Sequence, residues 1–230
     1  MAKKSKEAEK DEVIVDVEEV YSKTEDFINT NQNLIMGVVG GVIAIIVAFY
    51  AYQRVYLEPL EEEAHGQMFA AEQYFQKDSF DLALNGDGNY LGFIDIADEY
   101  GNTSAGNLAH YYAGVSYLRM GDYDNAITEL EAFDGSGEML GAVALGAIGD
   151  AHMELGNVDD ALNHYEKAIS SSENNFTTPV YLQKAGFAAE KAGNYDKAID
   201  YYTQVKENYP TTNEGRNADK YIARAEANLN

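Results

Sequence analysis

The sequence predicts an all-α chain in which one apolar helix of membrane-spanning length precedes an α-solenoid of stacked helical hairpins. Three observations carry this expectation. The segments Gly121-Asp122-Tyr123-Asp124-Asn125-Ala126, Gly156-Asn157-Val158-Asp159-Asp160-Ala161 and Gly193-Asn194-Tyr195-Asp196-Lys197-Ala198 nearly repeat one another, with glycines 35 and 37 residues apart. A period of that size denotes a stacked helical array. Apolar residues upstream of these segments fall at helical spacing, as in Leu108, Tyr111, Tyr112, Val115 and Leu118. Finally, Leu34 to Tyr52 is a run of 19 residues without a charge.

Within each repeat the residue types suit a helix pair. Gly ends the first helix in a left-handed cap, and the polar pair after it makes the turn and caps the second helix. Ala then lets the two helices approach closely. A small residue lies seven positions before each Gly (Gly114, Gly149, Gly186), and a bulky one nine positions after it (Leu130, Tyr165, Tyr202). This pattern resembles the tetratricopeptide repeat (TPR) of about 34 residues. The matching landmarks are Gly114, Tyr117, Ala126 and Leu130; then Gly149, His152, Ala161, Tyr165 and Ala168; then Gly186, Ala198, Tyr202 and Pro210. The large residue of the first helix is His110, Leu145 or Leu182 here, and the chain contains no Trp.

A degenerate fourth unit precedes these three. Met68, Ala71, Tyr74 and Phe75 keep a helical period, as do Phe93, Ile94, Ile96, Ala97 and Tyr100, with Asp78 to Asn89 read as a long turn between them. Asn213 to Leu229 reads as a last helix, with Tyr221, Ile222, Ala225 and Leu229 on its apolar face, which caps the exposed end of the core.

The apolar run spans roughly 28 Å as a helix, enough for a bilayer core. Tyr50, Tyr52 and Tyr56 stand where an interfacial aromatic belt would, beside Arg54. The run is longer than the apolar core of a signal peptide, 33 residues precede it, and no Ala-x-Ala site follows. A retained single-span anchor is the expectation. Lys3, Lys4, Lys6, Lys10 and Lys23 precede it and little basic follows, so the tail is read as cytoplasmic and the array as outside. Gly37, Gly41, Ala44 and Ala48 make a small-residue face able to pack on another membrane helix. Pro59 with Glu61, Glu62 and Glu63 suits a new helix start. The expected organisation is a tail over 1–33, partly disordered (Met1 to Glu12) with an amphipathic helix carrying Val17, Val20, Tyr21, Thr24, Phe27 and Ile28. The anchor follows over 34–53, a linker helix and the degenerate unit over 54–106, and three repeats with their cap over 107–230.

Net charge is −23, and the residues after Arg54 hold 10 basic against 30 acidic side chains. Such a surface repels phosphate backbones, so nucleic acid is not an expected partner. With no Cys there is no disulfide framework and no lipid attachment at Cys. His65, His110, His152 and His164 form no closely spaced pair in sequence, which argues against a zinc site. Asn85-Gly86-Asp87-Gly88-Asn89 opens like a calcium loop, but Tyr90 stands where that loop has Gly and Ile96 where it has Glu; a plain turn is expected. No phosphate loop or nucleophile motif occurs, so no enzyme, cofactor, metal or small-molecule substrate is expected.

Carrying the repeat register over, the inner face of the array presents Tyr111, Val115 and Arg119, then Asp150, Met153 and Glu154, then Gln183, Phe187, Glu190 and Lys191, and last Tyr221 and Arg224. Aromatics, a Met and mixed charges suit an extended peptide or a partner's helix. TPR arrays that hold the acidic C-termini of chaperones resemble one another in Lys and Asn at positions matching Tyr111, Val115, Ala147, Val180 and Lys184, of which only Lys184 is basic here.

Tail, uncleaved membrane helix and divergent acidic array, with Asn85-Gly-Asp-Gly-Asn89, Asp98 to Ala109, Gly146-Ala-Ile-Gly-Asp150 and Phe176 to Leu182, together resemble the ancillary SecYEG translocon subunit family (YfgM-like) of bacterial inner membranes, in its Bacteroidetes-type form. That resemblance implies a non-catalytic, periplasm-facing protein whose partners are translocon subunits, exported chains or periplasmic folding factors (chaperones). A scaffold for envelope assembly or cell division with one fixed partner, or a receptor facing the cytosol, are the alternatives.

Overall fold

A computed structural model describes residues 17–135, 137 and 139–229. The disorder expected over Met1 to Glu12, and the lysines Lys3, Lys4, Lys6 and Lys10, lie outside the described residues. The chain divides into two units, residues 1–56 and 57–230.

In the first unit, α1 (Val17–Thr30) and α2 (Gln32–Tyr52) meet at Asn31, whose amide donates to the Phe27 carbonyl at 2.9 Å. On α1, Tyr21, Phe27 and Ile28 are exposed. No residue of α2 is buried. A Cβ built at Gly37, Gly40 or Gly41 meets nothing within 4 Å, so the small-residue face carries no partner among the described residues. A π-helical turn follows at Gln53–Leu57.

The second unit is built of α3 (Glu58–Gln76), α4 (Phe80–Asn85), α5 (Phe93–Glu99), α6 (Ser104–Met120), α7 (Tyr123–Ala132), α8 (Met139–Leu155), α9 (Val158–Ser171), α10 (Thr178–Lys191), α11 (Tyr195–Asn208) and α12 (Asn213–Glu226). Helices α6/α7, α8/α9 and α10/α11 are the three hairpins. Each first helix ends with Gly in the left-handed region at φ 78–81°. The following residue's N–H reaches back to close the end: Asp122 to Tyr117, Asn157 to His152 and Asn194 to Ala189, at 2.8–3.0 Å. This double closure satisfies carbonyls a helix end otherwise leaves unpaired. Asp122 and Asn194 then accept from the backbone of Asn125 and Lys197, capping α7 and α11. The repeated alanines Ala126, Ala161 and Ala198 are fully buried.

Two positions of the repeat are complementary. A Cβ at Gly114 would lie 2.5 Å from Leu130, at Gly149 2.6 Å from Tyr165, and at Gly186 2.2 Å from Tyr202. The small landmark on each first helix is therefore the socket for the bulky landmark on its second helix. Packing of this kind gathers the core into three clusters. The largest, around Tyr165, Tyr181, Leu182 and Tyr202, runs from α8 to α12; another, around Met68, Phe93 and Ile96, joins α3–α6; the smallest, Leu130, Ala144, Ala147 and Ile148, bridges α7 and α8.

The region before the first repeat differs from the expectation. The stretch read as a long turn contains α4, with Ala83 and Leu84 buried and Phe80 edge-on to Phe75 at 5.6 Å. Six residues are too few to show a helical period, and the surrounding Asp, Asn and Gly obscured them. The remaining turn is organised by Asp87, whose carboxylate accepts from the backbone of Asn89 and Tyr90 at 2.9 Å and from the Tyr74 hydroxyl at 2.8 Å. Those backbone hydrogen bonds, with that of Tyr74, hold its carboxyl below the ordinary range. Glu61 caps a helix other than its own: its carboxylate accepts from Ser104 and Ala105 N–H at 2.7 and 3.0 Å, while Thr103 caps Gly106 at 2.9 Å. Three of the four orphan donors of α6 are satisfied in this way.

Candidate protein-binding face

The face expected to bind is divided among four settings. On α6, Tyr111 and Val115 pack into the α7/α8 cluster, with Tyr111 at 5.7 Å from Tyr112 and 5.5 Å from Phe133. Burial raises the Tyr111 phenol above its ordinary range. Arg119 turns to the preceding unit, 3.6 Å from Asp78 and over the Phe80 ring. These three residues fill or clamp helix junctions.

Asp150, Met153, Glu154 and Phe187 do come together. With Leu118, Tyr123, Tyr165 and Lys184 they line a cleft of about 340 Å³ to which all three repeats contribute. Its floor is a polar triangle: Asp150 accepts from the Tyr165 hydroxyl at 2.8 Å and from Lys184 Nζ at 2.6 and 2.8 Å. Two glycines of α8, one turn apart, make room beneath it. Gly149 seats Tyr165, and Gly146 seats Tyr181, where an added Cβ would lie 2.0 Å from the ring. The two rings stack at 6.4 Å. Burial first, then the Asp150 charge, raises both phenols above their ordinary range.

One repeat further on, Phe187, Glu190, Tyr221 and Arg224 close on one another. Arg224 pairs with Glu190 at 2.7 Å and lies over both Phe187 and Tyr221, whose rings meet edge to face at 5.0 Å. Lys191 is exposed and donates to the Met153 carbonyl at 3.3 Å; Gln183 is half-buried on α10. The pairs Asp150–Lys184 and Glu190–Arg224 are both separated by 34 residues. They form rungs between consecutive first helices, and opposite charges one period apart were the available signal for them in the sequence. The α9/α11 junction has a rung of its own, where Glu166 accepts from the Tyr201 hydroxyl and pairs with Lys197 at 2.9 Å. Burial alone would raise Glu166, but the Tyr201 and Lys197 hydrogen bonds outweigh it and lower the carboxyl.

Divergence of the repeats has one further result. The register that puts Asp150 under the Tyr165 hydroxyl puts Phe187 under Tyr202, and among the described residues the buried Tyr202 hydroxyl makes no hydrogen bond of ordinary geometry, having only the already paired Glu190 and Arg224 nearby. A contrast is expected. Tyr165→Phe removes a charge-assisted bond and destabilises by about 1–3 kcal/mol, whereas Tyr202→Phe is neutral or stabilising. Urea midpoints of the two variants check this; equal losses would contradict it.

His152 and His164 are not remote from each other as their sequence spacing suggested. The α8/α9 hairpin stacks their rings at 5.2 Å, with His164 Nδ1 2.9 Å from the Asp160 carbonyl. Among the described residues no group of three metal-ligating side chains converges. A second cleft, of about 430 Å³, opens where α7 stops at Ala132, and Leu130, Phe133, Leu145, Ile148, His164 and Lys167 are among its lining residues.

Two stretches, residues 108–133 and 141–211, match profiles described as Tetratricopeptide repeat. Among solved structures, the chain is similar to the nearly identical TPR-like repeats of a kinesin-light-chain-type protein of Podosopora anserina, with a TM-score of 0.57 at 14% identity over 73% of this chain and 86% of that one. It is also similar to MamA protein, with a TM-score of 0.55 at 19% identity over 73% of this chain and 92% of that one. No curated protein matches the sequence. The second unit therefore carries TPR repeats in an all-helical solenoid, and such repeats are a protein-interaction module.

Proposed function

We propose that this chain is a membrane-anchored TPR module that presents its array on the extracytoplasmic face of a bacterial inner membrane. There it stands beside the Sec translocon and binds exported polypeptides or periplasmic chaperones. The observation carrying the anchor is α2: 21 residues long enough and apolar enough to cross a bilayer, with none of them buried. An apolar helix left entirely uncovered in a soluble chain would be an aggregation liability, and a bilayer removes that cost. The array supplies the binding surface, its cleft combining Met153 and Phe187 with the Asp150 and Glu154 carboxylates. The orientation rests on the lysines ahead of α2, and the translocon on the resemblance in layout. An alkaline phosphatase fused after the last residue should be active in a bacterial host, and purification in mild detergent should enrich translocon subunits or periplasmic folding factors. An inactive fusion overturns the orientation, and an active fusion that enriches neither class of protein overturns the translocon assignment.

A further inference from the structure

We infer that the cleft around Asp150 takes a lysine or arginine side chain of its partner, and that Lys184 occupies that seat in the partner's absence. The inference rests on the reading of the array as a protein-binding module and specifies what the array recognises. Lys and Arg join an apolar stem to a charged head. The cleft has the matching order: Leu118, Met153 and Phe187 as apolar walls, with Asp150 and Glu154 as carboxylates.

Charge decides between a basic and an acidic occupant. Among the described residues Lys184 is the one cation lining the cleft, and both its short contacts are to Asp150, while Lys191 at the rim reaches the Met153 carbonyl. Glu154 is exposed and, among the described residues, forms no ion pair. The cleft therefore offers negative charge, in a chain whose net charge is −23, and that field draws cationic segments towards it. An acidic peptide meets repulsion from Glu154 and finds Lys184 already committed.

The seat can also be vacated. Lys184 reaches it from the neighbouring repeat on a flexible stem and is one-third exposed. When its ammonium swings into water, the Tyr165 hydroxyl still holds Asp150 in place at 2.8 Å. An incoming cation then replaces an outgoing one, with no net change of buried charge. A pair this exposed is closed only about two- to fivefold more often than it is open. Competition from Lys184 therefore weakens the partner's apparent affinity about three- to sixfold, because only the vacated fraction is competent to bind.

The test uses the full chain in mild detergent and three fluorescein-labelled peptides of alternating Leu with Lys, Glu or Gln, read by fluorescence polarisation. The Leu/Lys peptide should bind best. Lys184→Met should tighten it about three- to sixfold, and Glu154→Gln, at an exposed position with no ion pair among the described residues, should weaken it. Lys220→Met, which makes the same charge change on α12, should leave it nearly unchanged. Preference for the Leu/Glu or Leu/Gln peptide overturns the inference while leaving a protein-binding array standing. So does weaker or unaltered Leu/Lys binding in Lys184→Met, or equal tightening in Lys220→Met. If none of the three peptides binds, both the inference and the assignment of this face as a binding surface fall.

Discussion

Replacing Gly186 by Ala should destabilise the array by about 1–3 kcal/mol, although Ala is the better helix former by about 1 kcal/mol. The added methyl would lie 2.2 Å from Tyr202 Cε1 and 2.6 Å from Cζ. The ring has nowhere to withdraw: it is 1% exposed and held between Phe187 at 5.9 Å and Tyr221 at 5.5 Å. Gly66 provides the opposite case on α3, where an added Cβ meets nothing within 4 Å. Gly66→Ala should therefore stabilise by up to about 1 kcal/mol. A double-mutant cycle locates the cause, since Gly186→Ala should cost less in a Tyr202→Val background that lacks the ring. Thermal melts of the four proteins decide it; additive losses would mean that the socket is not where the strain arises.

Raising the pH through 10 to 12 should unfold the array cooperatively. Burial raises the Tyr165, Tyr181 and Tyr202 phenols above their ordinary range and pushes Tyr201 up to about 12, with Glu166 adding to the last. A phenol that stays protonated in the fold but ionises near pH 10 when unfolded stabilises the fold fully below pH 10. As pH rises, the unfolded chain binds fewer protons than the native one, so stability falls. Each unit above 10 removes about 1.4 kcal/mol per such tyrosine. Four of them therefore remove about 11 kcal/mol between pH 10 and 12, which is most of a domain's usual 5–15 kcal/mol. Helical circular dichroism and tyrosinate absorbance followed together should show a smooth phase from tyrosines open to water, then a joint step. A single smooth phase with helicity retained through pH 12 would count against this origin of stability.

The repeat skeleton was legible because its signals are local. Gly caps, buried alanines and the paired landmarks at Gly114/Leu130, Gly149/Tyr165 and Gly186/Tyr202 each lie within one period and recur. What escaped was either too short or too distant. Helix α4 is six residues long, below any periodicity. The Glu61 cap on α6 joins residues 43 apart, and nothing near Glu61 distinguishes that role from a first-turn acid. The binding face was legible only as a register. Position alone could not say that Tyr111 and Val115 would be drawn into the α7/α8 cluster, or that Glu190 and Arg224 would pair with each other. Nor could it say that Tyr165 and Lys184 would join Asp150 in the cleft floor, although the 34-residue spacing of opposite charges carried part of that information.

Stacked repeats offer nearly the same surface at each end, and an unmodified stack could add further copies head to tail into a filament. Helix α12 ends that growth here. It turns Gly215, Ala218 and Ala225 inward and leaves Asn213, Arg216, Asn217, Asp219, Lys220 and Glu226 facing water. At the other end α3, α4 and α5 pack over α6, burying Met68, Phe93 and Ile96 against Ala105, Ala109 and Ala113. Both faces at which another repeat would add are thus covered by elements of the described chain, which removes the surface for end-to-end addition of copies.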